Sequence, residues 1–245
     1  MEYLRTAIAL AALMALTAAV LRGYRAPHPF APLWAILRGA VQLAAISLVL
    51  AGVIGDALWV AVALLVMFGV ASFTATRRIG WSRPHLALVS GSMALGVVVT
   101  LGIVFGLGAV EFSPRYVLAL GGIVIGNTMG IATLAGRRFN ESVRDRWEEV
   151  EGWLALGATP RRSTLELARG AVYSALIPST DQTKTTGLVT LPGAFVGAIF
   201  GGLSPLDAGR FQLVVLGAIM ATGAITAVMV TAILAPVARK PQSLA

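Results

Sequence analysis

The chain has 245 residues, of which 57% are hydrophobic and only 12% charged, and its mean hydropathy is +0.83. Soluble domains carry about 25% charge, so this composition excludes a soluble globular enzyme, and disorder is excluded because it needs low hydrophobicity and high charge. With no cysteine there is no disulfide framework or thiolate metal site, and in a membrane chain Arg-rich cytoplasmic loops account for the net charge of +8 without a nucleic-acid partner.

Runs of about 18 or more apolar residues can cross a hydrocarbon core of roughly 30 Å as helices. Seven apolar stretches are expected to do so: 3–21, 33–54, 57–73, 86–107, 116–135, 185–200 and 211–237. The fold class is therefore all-α and polytopic, with residues 1–245 forming a single transmembrane domain. The bases orient it. Arg22, Arg25, Arg77, Arg78, Arg83, Arg137, Arg138, Arg144, Arg146, Arg161, Arg162, Arg169, Arg239 and Lys240 share one side, whereas Arg5, Arg115 and Arg210 lie on the other. The positive-inside rule puts the N-terminus outside and the C-terminus in the cytoplasm of a cell-membrane protein. A cleaved signal peptide over the first span would reverse every later loop and turn most of these bases outward.

Polar residues within spans are the candidates for a translocation path. Arg38 and Gln42 lie one turn apart near the end of the second span, where Arg38 can equally snorkel to the headgroups. Asn127 and Thr128 fall mid-span and can line a path or join two helices. Asp181 and Lys184, at i and i+3, are expected to pair at the mouth of the sixth span. Gly193, Gly197 and Gly201 have the spacing at which helix backbones approach closely, within the chain or across a homodimer. Met67, Met93, Met129 and Met220 are soft enough to meet a metal, although scattered Met is commonly core filler.

The long polar stretch 136–183 is expected to be cytoplasmic. Phe139, Val143, Trp147, Val150 and Leu154 share one helical face. Gly157 ends that helix, and Thr159 with Pro160 start a second one carrying Leu165, Ala168, Val172 and Leu176, which stops before Pro178. The result is an amphipathic hairpin, suited to a headgroup layer or to a groove on a soluble partner. No phosphate-cradling loop is present, because Lys184-Thr185 follows Thr183 rather than Gly. His28 and His85 are the only histidines and form no zinc-hydrolase motif. No Gly-x-Ser-x-Gly elbow exists, so the chain is not expected to be an enzyme.

The string from Glu151 through Trp153, Leu154, Leu156, Gly157, Ala158 and Thr159 to Pro160 resembles the EAA loop of ABC importer permeases. The segments 126–130 (GNTMG), 150–160 (VEGWLALGATP) and 183–205 (TKTTGLVTLPGAFVGAIFGGLSP), with Gln212, resemble the FetB-type permeases, bacterial iron-export ABC permeases similar to plant aluminium-sensitivity permeases. That resemblance implies a permease subunit that pairs with a separate ATPase and exports a metal or small solute. Residues 151–160 would then dock on the ATPase, and Gln212 would join the path candidates. The working unit would be two permeases with two ATPases; ATP and Mg would be bound by the ATPase, with no cofactor in this chain. The alternative is an ATP-independent secondary transporter or channel. It wants an acid in mid-membrane, and Asp56, Glu111, Asp181 and Asp207 all fall near span ends in this reading.

Overall fold

The computed structural model describes residues 1–53 and 55–240, and among these it is all-α. The helices are α1 (Glu2–Gly23), α2 (Ala31–Val53), α3 (Ala57–Ile79), α4 (Arg83–Gly106), α5 (Pro114–Asp145), α6 (Trp147–Ala155), α7 (Pro160–Ser163), α8 (Leu165–Thr185), α9 (Gly193–Phe200) and α10 (Pro205–Leu234). The expected second span ends at Ile54, which lies outside the described residues. Two compact units result, one holding α1 and α2 and the other α3 to α10. In the first, the turn from α1 to α2 takes Arg25 and His28 to φ 56°.

Five helices are long and apolar enough to cross a membrane: α1, α3, α4, α5 and α10. A shorter apolar stretch, Ala31–Ser47, lies within α2. The starts of the long helices follow from local chemistry. The Asp56 carboxylate accepts from the Leu58 amide at 2.8 Å. The Ser82 hydroxyl accepts from His85 N at 3.1 Å, and Ser204 does the same for Asp207 N at 3.1 Å. Pro84, Pro114 and Pro205 sit in first turns, where no amide donor is needed.

In the second unit α3, α4, α5 and α10 form the bundle, and α8 packs along α5 and α10. Small residues set the spacing. A methyl built on Gly96 of α4 would lie 3.0 Å from the Thr222 carbonyl oxygen and 2.8 Å from Thr226 Oγ1, so α4 and α10 touch backbone to backbone. A methyl on Gly136 would lie 2.7 Å from Ile79, which fixes α3 against α5. Between membrane helices this close fit replaces the hydrophobic driving force that lipid removes. Leu120, Val124, Ala132, Ala135, Met93 and Ala227 are fully enclosed there.

Two expectations are corrected. Residues 185–200 do not form one span. The chain turns at Gly187, with φ 86°, where the Gly187 amide donates to the Thr190 carbonyl at 2.8 Å, and α9 begins only after Pro192. At 8 residues α9 is about 12 Å long, too short to cross. Nor does 136–183 fold as two helices about one turn. Helix α5 continues to Asp145, the backbone breaks at Arg146 (φ −111°, ψ 34°), and α6, the 4-residue α7 and α8 follow. The break at Arg146 turns the chain so that Val150 joins Phe139 and Val143 against Leu167, Ala168 and Ala171. Of the expected face, Ala168 is buried and Val172 and Leu176 pack against the bundle core, joined by Leu167, Ala171 and Ala175, and only Leu165 lies at the surface. Helix α8 runs on through Pro178 to Thr185, because Pro178 is on its exposed side.

Gly96→Leu should therefore unfold the bundle. Its side chain meets the Thr222 carbonyl as well as the short, β-branched side chains of Thr222 and Thr226, which have little room to give, a cost of about 1–3 kcal/mol or more. Gly197→Leu, with nothing within 4 Å, should leave the chain's stability unchanged. Thermal aggregation of the detergent-purified variants separates them; equal midpoints would contradict the α4–α10 contact.

Candidate functional site

Helix α8 is where polar chemistry meets the bundle. Its 21 residues span about 31 Å. At its start the Thr164 hydroxyl donates to the Ala235 carbonyl at 2.6 Å, beside the C-terminal end of α10. Further along, Leu176 lies against Gly223, and Thr180 Oγ1 stands 4.0 Å from the Met220 sulfur. Past its end, Thr186 and Gly187 join Gln212 and Leu213 around a cavity of about 400 Å³. So α8 runs antiparallel along α10 from residue 235 to residue 212.

This fixes the depth of each group. Met220 and Gly223 lie at the middle of α10, and Thr222 meets Gly96 at the middle of α4. A helix rises about 1.5 Å per residue, so Asp181 and Lys184 lie within roughly 6 Å of Thr180, which stands beside Met220 near the middle of α10. Lys184 Nζ and Asp181 Oδ1 are 3.3 Å apart, as their spacing predicts, at the C-terminal end of α8. Their side chains are 69% and 60% exposed. Hydropathy does not mark α8 as a packed helix, because one of its faces is polar. The small-residue stripe Ala168, Ala171 and Ala175 was the available signal of a closely packed helix.

The other path candidates divide. Gln212 is buried at 5% exposure, and its Oε1 has no hydrogen-bond partner among the described residues; Thr100 Oγ1 and Thr222 Oγ1 share that condition. Asn127 Nδ2 and Thr128 Oγ1 donate to carbonyls of their own helix, Ile123 at 2.8 Å and Val124 at 2.7 Å. Arg38 and Gln42 are exposed on α2, in the other unit. No group comes within 4 Å of a methyl built on Gly193 or Gly197, and Gly201 caps α9 against its own carbonyls. Met93 is enclosed and takes a weak bond from the Ser72 hydroxyl at 3.9 Å. No group of three His, Cys, Asp or Glu among the described residues could hold a metal ion.

The second feature is the tip between α6 and α7. The Ala158 amide donates to the Trp153 carbonyl and the Gly157 amide to Leu154, both at 3.0 Å, while Gly157 takes φ 85°. This is a Schellman closure, which favours glycine at that position. Thr159 caps α7 by accepting from Arg162 N at 3.4 Å, with Pro160 in the first turn. Leu154 packs inward on the cluster of Phe139, Val143 and Val150. Leu156 is 83% and Trp153 49% exposed, and Glu151 is exposed with no ion pair among the described residues. Ala158 is half-buried. Beside the tip, Glu149, Trp153, Arg162, Glu166 and Arg169 line a groove of about 350 Å³. Arg146 pairs with Glu149, and Arg169 with Glu166 at 2.6 Å. The same end of the unit carries Arg77, Arg78, Arg83, Arg137 and Arg138.

Comparison with known proteins gives this architecture a family. A family model described as "Uncharacterised protein family (UPF0014)" matches residues 4–237. The chain belongs to the UPF0014 family. It is 35% identical over 201 residues to the UPF0014 membrane protein STAR2 of Oryza sativa subsp. japonica, covering 81% of this chain and 70% of that one. It is 35% identical to the protein ALUMINUM SENSITIVE 3 of Arabidopsis thaliana, covering 81% and 73%. It is 30% identical to the "Probable iron export permease protein FetB" of Escherichia coli (strain K12), covering 80% and 77%. No solved structure matches the chain. Family and fold agree on a multi-pass membrane protein.

If the exposed side of α8 meets water at bilayer depth, a cysteine at Asp181 should react quickly with a water-soluble maleimide in membranes. One at Val98, 69% exposed on α4, should react slowly because it faces lipid. Equal slow labelling at both positions would put the α8 face in hydrocarbon.

Proposed function

We propose that the chain is the permease subunit of an ABC transporter, pairing with a separate ATPase to export a metal ion, iron among the candidates, or another small solute. The E. coli relative's printed name supports iron and export. On this reading α8 replaces the expected sixth span, so seven helices (α1 to α5, α8 and α10) cross, with the N-terminus outside and the Arg-rich end in the cytoplasm. Asp181, Lys184 and Gln212 line the path, and the working unit contains two permeases.

The observation that supports ATPase coupling is the tip at 151–160. It is apolar and exposed at Trp153 and Leu156, rigidly closed at Gly157, and flanked by the free acid Glu151. A partner cleft can bury the two apolar side chains and offer a base to the carboxylate. Because the tip shares a core with α5 and α8, a push on it moves both helices as one body.

Glu151→Lys should leave insertion and folding intact, yet weaken capture of the ATPase roughly tenfold or more, about 1–3 kcal/mol, with export falling in step. Unaltered capture and export would return the segment to a surface element in the headgroup layer. The orientation has its own check. A cysteine at Arg146, the only one in the chain, should resist a membrane-impermeant thiol reagent in intact cells, and labelling there would put the tip outside.

One observation favours a second reading. Asp181 at bilayer depth supplies the intramembrane acid that an ion-coupled secondary transporter needs. Transport that persists without any ATPase and stops in Asp181→Asn would decide for that mechanism.

A further inference from the structure

We infer that the cavity beside Gln212, within the second unit, is a binding site for a neutral lipid carrying a free hydroxyl: its chain fills the apolar hollow and its hydroxyl pairs with the buried amide. This site goes beyond the permease reading, which sets Gln212 on a path without saying what it touches, and because the readout is binding the two fail separately.

Two interruptions of the helices make the hollow. After α8 the chain turns at Gly187, and Pro192 delays the start of α9, so the turn and α9 stand against the first turns of α10 with about 400 Å³ left between them. On α10, Pro205, Gly209, Gln212 and Leu216 fall at i, i+4, i+7 and i+11, which is one helical face, and all four line the cavity. Gly209 gives it width, since nothing lies within 4 Å of a methyl built there. Leu206 and Leu213 are exposed on its open side, whereas Leu216 and Gln212 are buried and form its floor. Small-molecule sites have this form, a mostly apolar cleft with a few placed polar groups.

The polar groups set the ligand. Gln212 Oε1 is buried with no partner among the described residues, and the cavity supplies none. The Thr186 hydroxyl on its wall donates to the Gln182 carbonyl at 2.8 Å, and Arg210 Nη1 stands 3.6 Å from Asp207 Oδ1. An unpaired buried amide costs stability, so this one is completed by a group that enters from outside. A hydroxyl satisfies it either way round, donating to its oxygen or accepting from its nitrogen. The charges of Arg210 and Asp207 offset each other, which favours a neutral head over an anionic or cationic one. For a multi-pass membrane protein the apolar molecules at hand are lipids, and a single acyl chain ending in a hydroxylated head, as in a monoacylglycerol, meets all three conditions.

The probe is 1-oleoylglycerol, with methyl oleate as its counterpart lacking the hydroxyls. Both would be titrated against the full-length chain in phosphatidylcholine nanodiscs, whose lipid offers no donor. 1-Oleoylglycerol should raise the thermal midpoint saturably, and methyl oleate should need at least tenfold more. Gln212→Leu, similar in size, should raise the midpoint of the ligand-free chain because the unpaired group is gone, and should bring the two probes to equal affinity. Gly209→Leu fills the hollow without touching the amide and should abolish saturable binding of both. Equal affinity of the two probes for the unsubstituted chain, or no saturable binding of either, would overturn the inference. A lower midpoint in ligand-free Gln212→Leu would do so too, since the amide would then already have a partner, as would saturable binding that survives in Gly209→Leu.

Discussion

A bilayer core cannot hydrogen-bond a peptide group or solvate a charge. Everything in this molecule follows from how it meets that constraint along α8. Backbone groups are satisfied by helix formation, but on the proposed crossing of α8 Asp181 and Lys184 still need surroundings other than lipid. The chain sets one side of α8 against α5 and α10 through the small residues Ala168, Ala171 and Ala175 and gathers the polar groups on the other.

The same constraint explains the packing. Apolar side chains gain little by leaving lipid for protein, so the long helices are held by fit. Gly96 admits the backbone of α10, and Gly136 admits Ile79. Hydroxyls settle into their own helices where they can: Thr76 donates to Ser72, Thr128 to Val124 and Thr231 to Ala227. Thr100, Thr222 and Gln212 are the exceptions, and Gln212 borders the cavity beyond α8. At the Arg-rich end a separate small core of Phe139, Val143, Val150 and Leu167 ties the exposed tip to α5 and α8. A displacement at the tip therefore reaches the level of Asp181 through two continuous helices.

Much of this was legible in the residues. The long apolar helices α1, α3, α4, α5 and α10, the apolar stripe of Phe139, Val143 and Val150, the turn at Gly157 and the Asp181–Lys184 pair follow from periodicity, capping chemistry and spacing. The packed helix α8 did not, because hydropathy rewards apolar length. Residues 185–200 are apolar but are interrupted by Gly187 and Pro192, whereas 165–185 is polar on one face and small on the other. The Gly193, Gly197 and Gly201 spacing looked like a packing seam, yet the glycines that admit another helix are Gly96, Gly121, Gly122, Gly136 and Gly223, which have no regular spacing to mark them. Close approach depends on what stands opposite, and a single sequence does not contain that.

The central claim is that α8, not the stretch 185–200, is the sixth crossing. Single cysteines at Arg169 and Leu188, probed with an impermeant thiol reagent in intact and permeabilised cells, test it most directly. Leu188 is 92% exposed in the turn beyond α8, and Arg169 is exposed in its first turns. The account predicts that the two label from opposite sides of the membrane. Labelling of both from the same side would mean that α8 does not cross and would contradict it.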